Sequence, residues 1–437
     1  MGIVSGKPLV IRFAMVLCLS IIFVRSAKCG EHWTSYRGPT DQGHCDSPKL
    51  PIRWSERENV VWKTAIPGKA WSSPVIWGDR IWLTNAPEDG TELFVICVDK
   101  KSGKMQFNKR LHSVAKPQFC IPFNSYASPS PVIEEGRVYV SFGSPYNACL
   151  DSKTGEVIWE RTDLVCNHFR AAGSSPLIYG SLLILHLDGS DRQYVVALDK
   201  HTGKTVWKTD RSVDFKDLDP ATGKPSTDGD FRKAFSTPVI VDVKGKPVLI
   251  SLGSMTLYGY EPETGKELWR VESIGSHSGS CRPVSGHGLV FSPMGYTAEV
   301  WAVRPDGHGV VTNSHVVWKC PRASARRSSP LLVGDWLFMV DAAGVAACLE
   351  AKTGKELWRE RLGGNYSASP IYAGGRVYFF DESGKSTAIE AAPQYKVIAV
   401  NRLDDGFMAS PAVSGNALYL RTKGALYRIE DRTTVMH

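Results

Sequence analysis

The sequence predicts an all-β protein, an eight-bladed β-propeller built from four-stranded antiparallel blades. Three observations support this fold class. A Pro signal, preceded by Ser in six copies and by Thr and Arg in the other two and referred to below as the Ser-Pro pair, recurs eight times, and a Gly turn followed by Trp recurs in register with it. A spare strand near the N-terminus also matches a strand that the last repeat lacks. Together they indicate a closed ring, because successive blades must stack to bury their faces.

The first observation is a small residue followed by Pro and an apolar residue. The prolines of the eight copies are Pro74, Pro131, Pro176, Pro238, Pro283, Pro330, Pro370 and Pro411. Their mean spacing is about 48 residues, which is typical of propeller blades. After each copy a short turn precedes an alternating run, as in Gly78–Arg80 before Ile81–Leu83. Alternation bounded by turn residues predicts strands.

The second observation is a hairpin motif, most complete in Ala197–Trp207. An acidic residue opens the turn, Gly takes the left-handed position, and an aromatic residue follows four residues later on the outer strand. Phe107 holds this aromatic position in the first copy. We expect the aromatic side chain to dock in the seam between neighbouring blades. The tryptophans assigned this structural docking role are Trp159, Trp207, Trp269 and Trp358.

The third observation concerns the two ends of the repeat region. The last repeat has strands near Ala417–Arg421 and Ala425–Ile429 and then lacks an outer strand. Asn59–Lys63 reads as an outer strand with no repeat in front of it. Pairing the two would complete blade eight and remove exposed sheet edges. We therefore predict one propeller domain over 30–437, in which segment 30–70 supplies the closing strand.

The N-terminus has the order of a secretory signal. Lys7 and Arg12 precede an apolar run, Phe13–Val24, and small residues follow it. The sequence therefore predicts a signal peptide over 1–29 and an exported protein, periplasmic or in the cell envelope. An uncleaved N-terminal anchor is the alternative, although the apolar run is shorter than the roughly 20 residues that a membrane span needs.

Charge and composition exclude some functions. Half of the net charge of +8 comes from four basic residues within 1–29, so the predicted mature chain has no strongly basic character. A nucleic-acid binder would need a concentrated basic face. With 43% hydrophobic and 22% charged residues, the composition is typical of a globular protein, and we expect a monomer without a membrane span.

Three cysteines share one position of the repeat. Cys97, Cys149 and Cys348 each stand two residues before the acidic residue of the hairpin turn, where Ala197 and Gly259 stand in other copies. We expect them to be small buried core residues. An exported compartment permits disulfides among the other cysteines, although their spacing does not assign pairs.

The hairpin motif in Ala197–Trp207 resembles the tryptophan-docking motif of propellers in pyrroloquinoline-quinone (PQQ) dehydrogenases. That family includes quinoprotein dehydrogenases and the non-catalytic, BamB-type assembly factors, and some of its members also carry a segment like Trp33–Pro39. The dehydrogenases need calcium ligands and a general base, and some carry a vicinal disulfide or a haem-binding Cys-x-x-Cys-His. None of these features matches residues of this chain.

The resemblance thus implies a non-catalytic binding or scaffold propeller, with no catalytic residue, metal or cofactor expected. The partner would be an envelope protein, a peptide or a glycan. The alternative that the family implies is a dehydrogenase of alcohols or sugars that uses PQQ and Ca²⁺. Glycan hydrolysis is a third idea, and it requires a carboxylate pair that the sequence alone does not locate.

The loops before the Ser-Pro pairs are the predicted ligand-binding region, because they gather at one mouth of the axis. Arg282 is distinctive, since the other seven copies have Ser or Thr before Pro. Guanidinium groups suit carboxylates, and aromatic rings suit a peptide, a sugar or a planar ligand. The alternative is that the arginines pair with acids such as Asp230 or cap loop carbonyl groups. The candidate residues are Arg170, Arg232, Arg282, Arg327, His277 and Tyr126, with Lys233, Arg326, His168, Tyr366 and Phe407 nearby.

Two other motifs do not support chemistry. Gly203-Lys204-Thr205 imitates the end of a phosphate-binding loop, but the segment is a hairpin and the first Gly is missing. Asp214, Asp217 and Asp219 cluster in a long insert, without the spacing of an EF-hand. We interpret that cluster as a solvated acidic loop.

Overall fold

The computed structural model describes residues 1–2, 30–45, 47, 50–297, 299–321 and 326–431. Apart from its first two residues, the predicted signal peptide lies outside the described residues and stays a prediction. The described residues form eight antiparallel sheets of four main strands, and first strands contact each other between blades 1 and 2, 5 and 6, 6 and 7, and 8 and 1. The predicted eight-bladed β-propeller is therefore confirmed.

The strands of each blade follow one another outward from the axis. Blades 1 to 4 consist of Val75–Trp77, Arg80–Asn85, Glu92–Asp99 and Met105–Ser113; Val132–Glu134, Arg137–Ser141, Asn147–Asp151 and Val157–Arg161; Leu177–Tyr179, Leu182–Asp188, Gln193–Asp199 and Thr205–Asp210; and Val239–Val243, Lys246–Leu252, Thr256–Tyr260 and Glu267–Glu272. The inner strands are buried along their whole length, as in Leu182–Asp188, since both faces of a blade pack against neighbours, whereas an outer strand such as Met105–Ser113 alternates between more and less exposed side chains.

The second half of the ring repeats this plan. Blades 5 to 8 consist of Val284–Gly286, Leu289–Pro293, Val300–Val303 and Val316–Cys320; Leu331–Val333, Trp336–Val340, Val345–Glu350 and Glu356–Arg361; Ile371–Ala373, Arg376–Phe380, Lys385–Glu390 and Val397–Arg402; and Ala412–Ser414, Ala417–Arg421, Ala425–Ile429 and Val60–Ala65. Gly309–Val310 extends blade 4 in parallel, and His44–Cys45 lies parallel to the first strand of blade 7. The short helices are a 3₁₀ segment, Ser226–Arg232, and an α-helical turn, Thr312–His315.

The closing strand lies where the sequence predicts it. Val60–Ala65 pairs antiparallel with Ala425–Ile429 and completes blade 8. Its Trp62 donates an indole hydrogen bond to the Lys100 carbonyl oxygen of blade 1 at 3.1 Å and lies against Gly103. The last blade is thus fastened to the first, and Trp62 is a docking tryptophan that the sequence analysis did not assign.

Docking tryptophans in other blades make the same contact. The indole N–H of Trp159 donates to Lys200 and that of Trp207 to Pro262, both at 3.0 Å to the carbonyl oxygen. Trp318, which does not follow the hairpin motif in the sequence, donates to Ala351 at 2.9 Å. Trp269 and Trp358 are also buried, but their indole N–H groups have no acceptor among the described residues.

The three repeat cysteines are buried and free, as predicted. Each lies on the third strand between aromatic or other large residues of the second and fourth strands; Cys149, for example, pairs with Tyr139 and Trp159. Burial raises the pKa of the Cys97 thiol to about 11, so it stays protonated. Cys45 is disulfide-bonded.

Among the described residues, none of the helices is both long and apolar enough to cross a membrane.

Candidate functional site

In seven of the eight repeats the residue before the proline donates its backbone N–H to a hydroxyl of the next blade; Thr237 is the exception, because Arg282 stands where that hydroxyl would be. Ser73 N–H donates to Ser130 Oγ at 2.8 Å, and Ser130 N–H donates to Ser175 Oγ at 2.9 Å. Equivalent bonds join Ser175 to Thr237, Arg282 to Ser329, Ser329 to Ser369, Ser369 to Ser410, and Ser410 back to Ser73. A hydroxyl acceptor is therefore needed at seven of the eight positions, and we call this set the hydroxyl ring.

An axial segment, residues 33–45, crosses the channel inside the ring. Trp33 forms a β-bridge with Ile76 of blade 1, and the Thr34 carbonyl oxygen accepts a hydrogen bond from Ile133 of blade 2. On the other side, Arg37 donates to the Pro330 carbonyl oxygen of blade 6, opposite blade 2, and Asp41 accepts from Arg282 of blade 5, opposite blade 1. Because innermost strands surround the axis, a segment that touches blades on opposite sides must block it.

Tyr36 and Arg37 join the axial segment to the hydroxyl ring. The Tyr36 hydroxyl lies 2.7 Å from Ser369 Oγ and 3.2 Å from Ser329 Oγ. Arg37 donates to the carbonyl oxygens of Pro330 and Pro370 at 2.9 and 2.8 Å. Burial lowers the pKa of the Arg37 guanidinium to about 10, and three carbonyl contacts, including one to Gln42, stabilise it there.

A cavity of about 270 Å³ opens above this blocked axis. It lies at the end of the blades where the innermost strands begin, which we call the mouth face, and we call the space the mouth cavity. Tyr36 and ring hydroxyls line its floor. Its apolar walls and charged rim are formed by Trp71, Ile121, Phe123, Phe235, Met408, Arg170 and Arg327.

Each rim arginine pairs with one carboxylate. Arg170 Nη2 lies 3.3 Å from both carboxylate oxygens of Asp230, which also pairs with the buried Lys233. Burial alone would raise the pKa of Asp230, but Lys233 and Arg170 outweigh it and the pKa is lowered. Across the mouth, Arg327 Nη1 lies 3.3 Å from Glu382 Oε1. The expected alternative, pairing of arginines with acids, thus holds for both rim arginines, and it also holds for Arg232 and Arg282, which pair with Asp217 and Asp41.

Arg282 lies deeper than the sequence analysis expected. It is only 1% exposed, and its guanidinium bonds to Asp41 of the axial segment and to the Pro238 carbonyl oxygen. It holds the axial segment and does not line the mouth cavity. A buried guanidinium with these partners replaces the hydroxyl of the other copies.

Two more candidates lie on the mouth face beside the cavity. Arg232 forms a bidentate pair with Asp217, so the acidic insert neutralises it. The ring of His277 stacks on Tyr296 with 5.4 Å between ring centroids, and burial lowers the pKa of this histidine. Neither residue lines the mouth cavity.

Tyr126 and His168 line a second, small cavity with a volume of about 20 Å³. The Tyr126 hydroxyl donates to the Gln118 carbonyl oxygen at 2.7 Å. The buried His168 accepts the Ser144 N–H at 2.9 Å, and burial lowers its pKa to about 4. Both residues thus bond to the backbone of mouth-face loops and do not line the mouth cavity.

Three further residues near the predicted mouth pack within the structure. Tyr366 and Phe407 are fully buried in the seams of the last blades. The Arg326 guanidinium lies 4.4 Å from the Tyr296 ring centroid. Among the described residues there is no group of three His, Cys, Asp or Glu side chains placed to hold a metal ion.

The fold and its docking repeats define a propeller of the PQQ-repeat class. A family model described as outer membrane protein assembly factor BamB matches residues 52–162 and 254–393, more than half of the chain. The chain therefore belongs to this BamB family of PQQ-like propellers.

Curated relatives include both catalytic and non-catalytic proteins. Quinoprotein ethanol dehydrogenase of Pseudomonas aeruginosa is 30% identical over 34% of this chain and 23% of its own length. BamB of Legionella pneumophila is 25% identical over 44% of this chain and 50% of its own. Tetrathionate hydrolase of Acidithiobacillus ferrooxidans is 23% identical over 56% of this chain and 50% of its own. The chain thus spans half or less of these relatives.

Solved structures agree on the fold. BamB from Moraxella catarrhalis superposes with a TM-score of 0.60 at 14% identity, covering 86% of this chain and 99% of that one. A europium-containing methanol dehydrogenase superposes with a TM-score of 0.66 at 11% identity, covering 90% of each chain. At such identities the likeness extends to the fold alone.

Proposed function

We propose that this protein is a non-catalytic binding module that holds a segment of a partner protein at its mouth face. The observation that carries the proposal is the mouth cavity, which combines apolar walls with hydroxyl and guanidinium groups above a blocked axis. Mostly apolar cavities with a few polar groups are typical of binding sites.

Exposed apolar side chains around the cavity support a protein partner. Six large ones lie in mouth-face loops, with exposures between 39% and 65%: Phe119, Phe123, Val165, Leu218, Ile274 and Tyr296. Aromatic residues of this kind supply much of the binding energy at protein interfaces. The predicted export would place this partner in the periplasm or cell envelope.

The dehydrogenase alternative draws on the quinoprotein relatives. PQQ carries several carboxylates and would need cationic groups, calcium ligands and a general base. The residues at the mouth cavity do not fit this group, because Asp230 and Glu382 are already paired with Lys233 and Arg327. Each rim guanidinium is likewise committed in part to a carboxylate of the chain.

Site-specific photo-crosslinking in cells that make the protein tests the proposal. A crosslinking residue at Phe119 or Tyr296 samples the mouth face, and one at Val317 or Val400 samples exposed outer strands as a matched control. We expect one defined protein adduct from the mouth-face positions alone. Equal adducts from the outer strands would contradict a mouth-face site.

Reconstitution with PQQ and Ca²⁺ followed by a dye-linked assay tests the alternative. We expect no turnover of alcohols or aldoses above the protein-free control. Turnover that depends on both additions would overturn the non-catalytic proposal.

A further inference from the structure

The floor of the mouth cavity contains hydroxyl groups whose hydrogens are unused. Each accepts a backbone N–H from the neighbouring blade, yet none has an acceptor for its own O–H among the described residues. All five are at least 95% buried: Ser73, Ser130, Ser175, Thr237 and Ser410. Buried donors without an acceptor are costly, so a floor of this kind suits a ligand oxyanion.

The five open hydroxyls all lie on one side of the axis. The two remaining serines, Ser329 and Ser369, contact the Tyr36 hydroxyl, so the axial segment already occupies their side. The open donors therefore face the cavity as a partial ring. Tyr36 closes the floor next to them.

The blocked axis limits how a peptide can bind. No chain can pass through the channel, because the axial segment bonds to blades 1 and 2 on one side of the axis and to blades 5 and 6 on the other. A cavity of about 270 Å³ is small for a ligand site and accepts the end of a chain more readily than its middle.

The charges at the rim distinguish between the two ends of a chain. The rim arginines Arg170 and Arg327, together with the buried Lys233, face two carboxylates, Asp230 and Glu382. Each arginine spends only one Nη on its carboxylate, although a guanidinium has five N–H donors. The remaining donors and the excess positive charge favour a carboxylate and disfavour an ammonium group.

We infer that the mouth cavity binds the C-terminal carboxylate of a peptide whose last side chain is apolar. The carboxylate would meet the hydroxyl floor and the two rim arginines. The last side chain would pack against the cavity walls, where Trp71 and Phe123 offer aromatic surface and Met408 an adaptable one. This inference rests on the proposed function and names the chemical class of its ligand.

Calorimetric titration of the whole purified protein tests the inference. The probes are acetylated octapeptides with a Gly-Ser scaffold and a last residue of Phe, Leu or Lys, each prepared as the free acid and as the C-terminal amide. A third set has an internal Asp and an amidated end, so that it carries a carboxylate away from the terminus. We expect the Phe and Leu acids to bind at least tenfold more tightly than their amides.

Two variants and a matched control connect binding to the site. Arg170→Gln and Arg327→Gln should each weaken binding of the Phe acid by about tenfold, while affinity for its amide changes little, because a charge-assisted hydrogen bond is lost. Arg232→Gln is the control, since this arginine lies on the same face outside the cavity. Thermal unfolding of each variant checks that it is folded.

Several outcomes would overturn the inference. Equal affinity of acids and amides, equal affinity of the internal-Asp peptides, or no binding by any peptide would each do so. These results would leave the crosslinking test of the proposed function untouched, because a partner could still cover the mouth face. If adducts form at the mouth face but acids and amides bind equally, the proposed function stands and the inference of a C-terminal carboxylate ligand is wrong.

Discussion

Arg282 Nη1 donates a hydrogen bond to Asp41 Oδ1 at 2.8 Å across 241 residues of sequence. The same guanidinium donates from Nε and Nη2 to the Pro238 carbonyl oxygen, at 3.0 and 2.7 Å. The one repeat that departs from Ser or Thr before its proline thus anchors the axial segment. A residue chosen from sequence as a ligand-binding candidate has a structural reason to differ.

Replacing this anchor should destabilise the protein. Arg282→Ser restores the hydroxyl of the other repeats but removes the pair with Asp41 and leaves the Pro238 carbonyl without its donors. Breaking a largely buried pair costs on the order of 3 kcal/mol. We expect a loss of this size in the free energy of unfolding, measured in urea. An Asp41→Asn double-mutant cycle should show coupling above about 0.5 kcal/mol; additive effects would contradict the pairing.

Closure of the ring can be tested at one glycine. Gly103 has φ +73°, and a Cβ there would lie 2.6 Å from the Trp62 ring. Gly136 has a similar φ of +77° with nothing within 4 Å, so Gly136→Ala carries backbone strain alone, on the order of 1 kcal/mol. We expect Gly103→Ala to lower the melting temperature clearly more. Equal effects would indicate that Trp62 does not fasten blade 8 to blade 1.

A buried ion pair joins blade 3 to the segment that follows it. Arg211 and Asp188 form two hydrogen bonds, of 2.9 and 2.6 Å, and both side chains are at most 2% exposed. Asp188→Asn should cost on the order of 3 kcal/mol of unfolding free energy, because it removes the negative charge beside a buried guanidinium. Lys208→Ala, in an exposed pair with Asp210, is the control and should change stability by less than about 1 kcal/mol.

The free energy of unfolding should fall with decreasing pH in the range where His168 is protonated in the unfolded state but neutral in the folded state. Its folded pKa is lowered to about 4 by burial, whereas the unfolded value is about 6.5. Between these values the unfolded state binds the extra proton, so the free energy of unfolding decreases as pH falls, by about 3 kcal/mol near pH 4. His168→Gln should reduce this loss in urea unfolding at pH 7 and pH 4.5.

The buried His186, whose pKa burial also lowers, should keep part of the acid sensitivity in that variant. His201→Gln alters an exposed histidine and is the control. A His168→Gln protein with the pH dependence of the unaltered chain would contradict the assignment.

The candidate site was only partly predictable. Arg170 and Arg327 were found because every loop before a Ser-Pro pair must end at the mouth face, and both line the cavity. Phe123 and Met408 were not found, since nothing in an irregular loop indicates which side chains turn inward. The seven hydroxyls were identified as a repeat signal, but their bonds to neighbouring blades follow from geometry around the ring.

The sequence by itself determined the architecture of this protein. Eight blades are specified by the in-register repeats of the Ser-Pro pair and the Gly-Trp hairpin and by the spare strand that contains Trp62. The repeats can be recognised from local periodicity, and the spare strand from the need to close the ring. Only the tertiary structure shows that residues 33–45 block the axial channel. The course of residues 33–45 depends on contacts with blades hundreds of residues away, which local sequence patterns do not reveal. Because of this course, Arg282 is buried and anchors the axial segment, and five ring hydroxyls remain open to the mouth cavity.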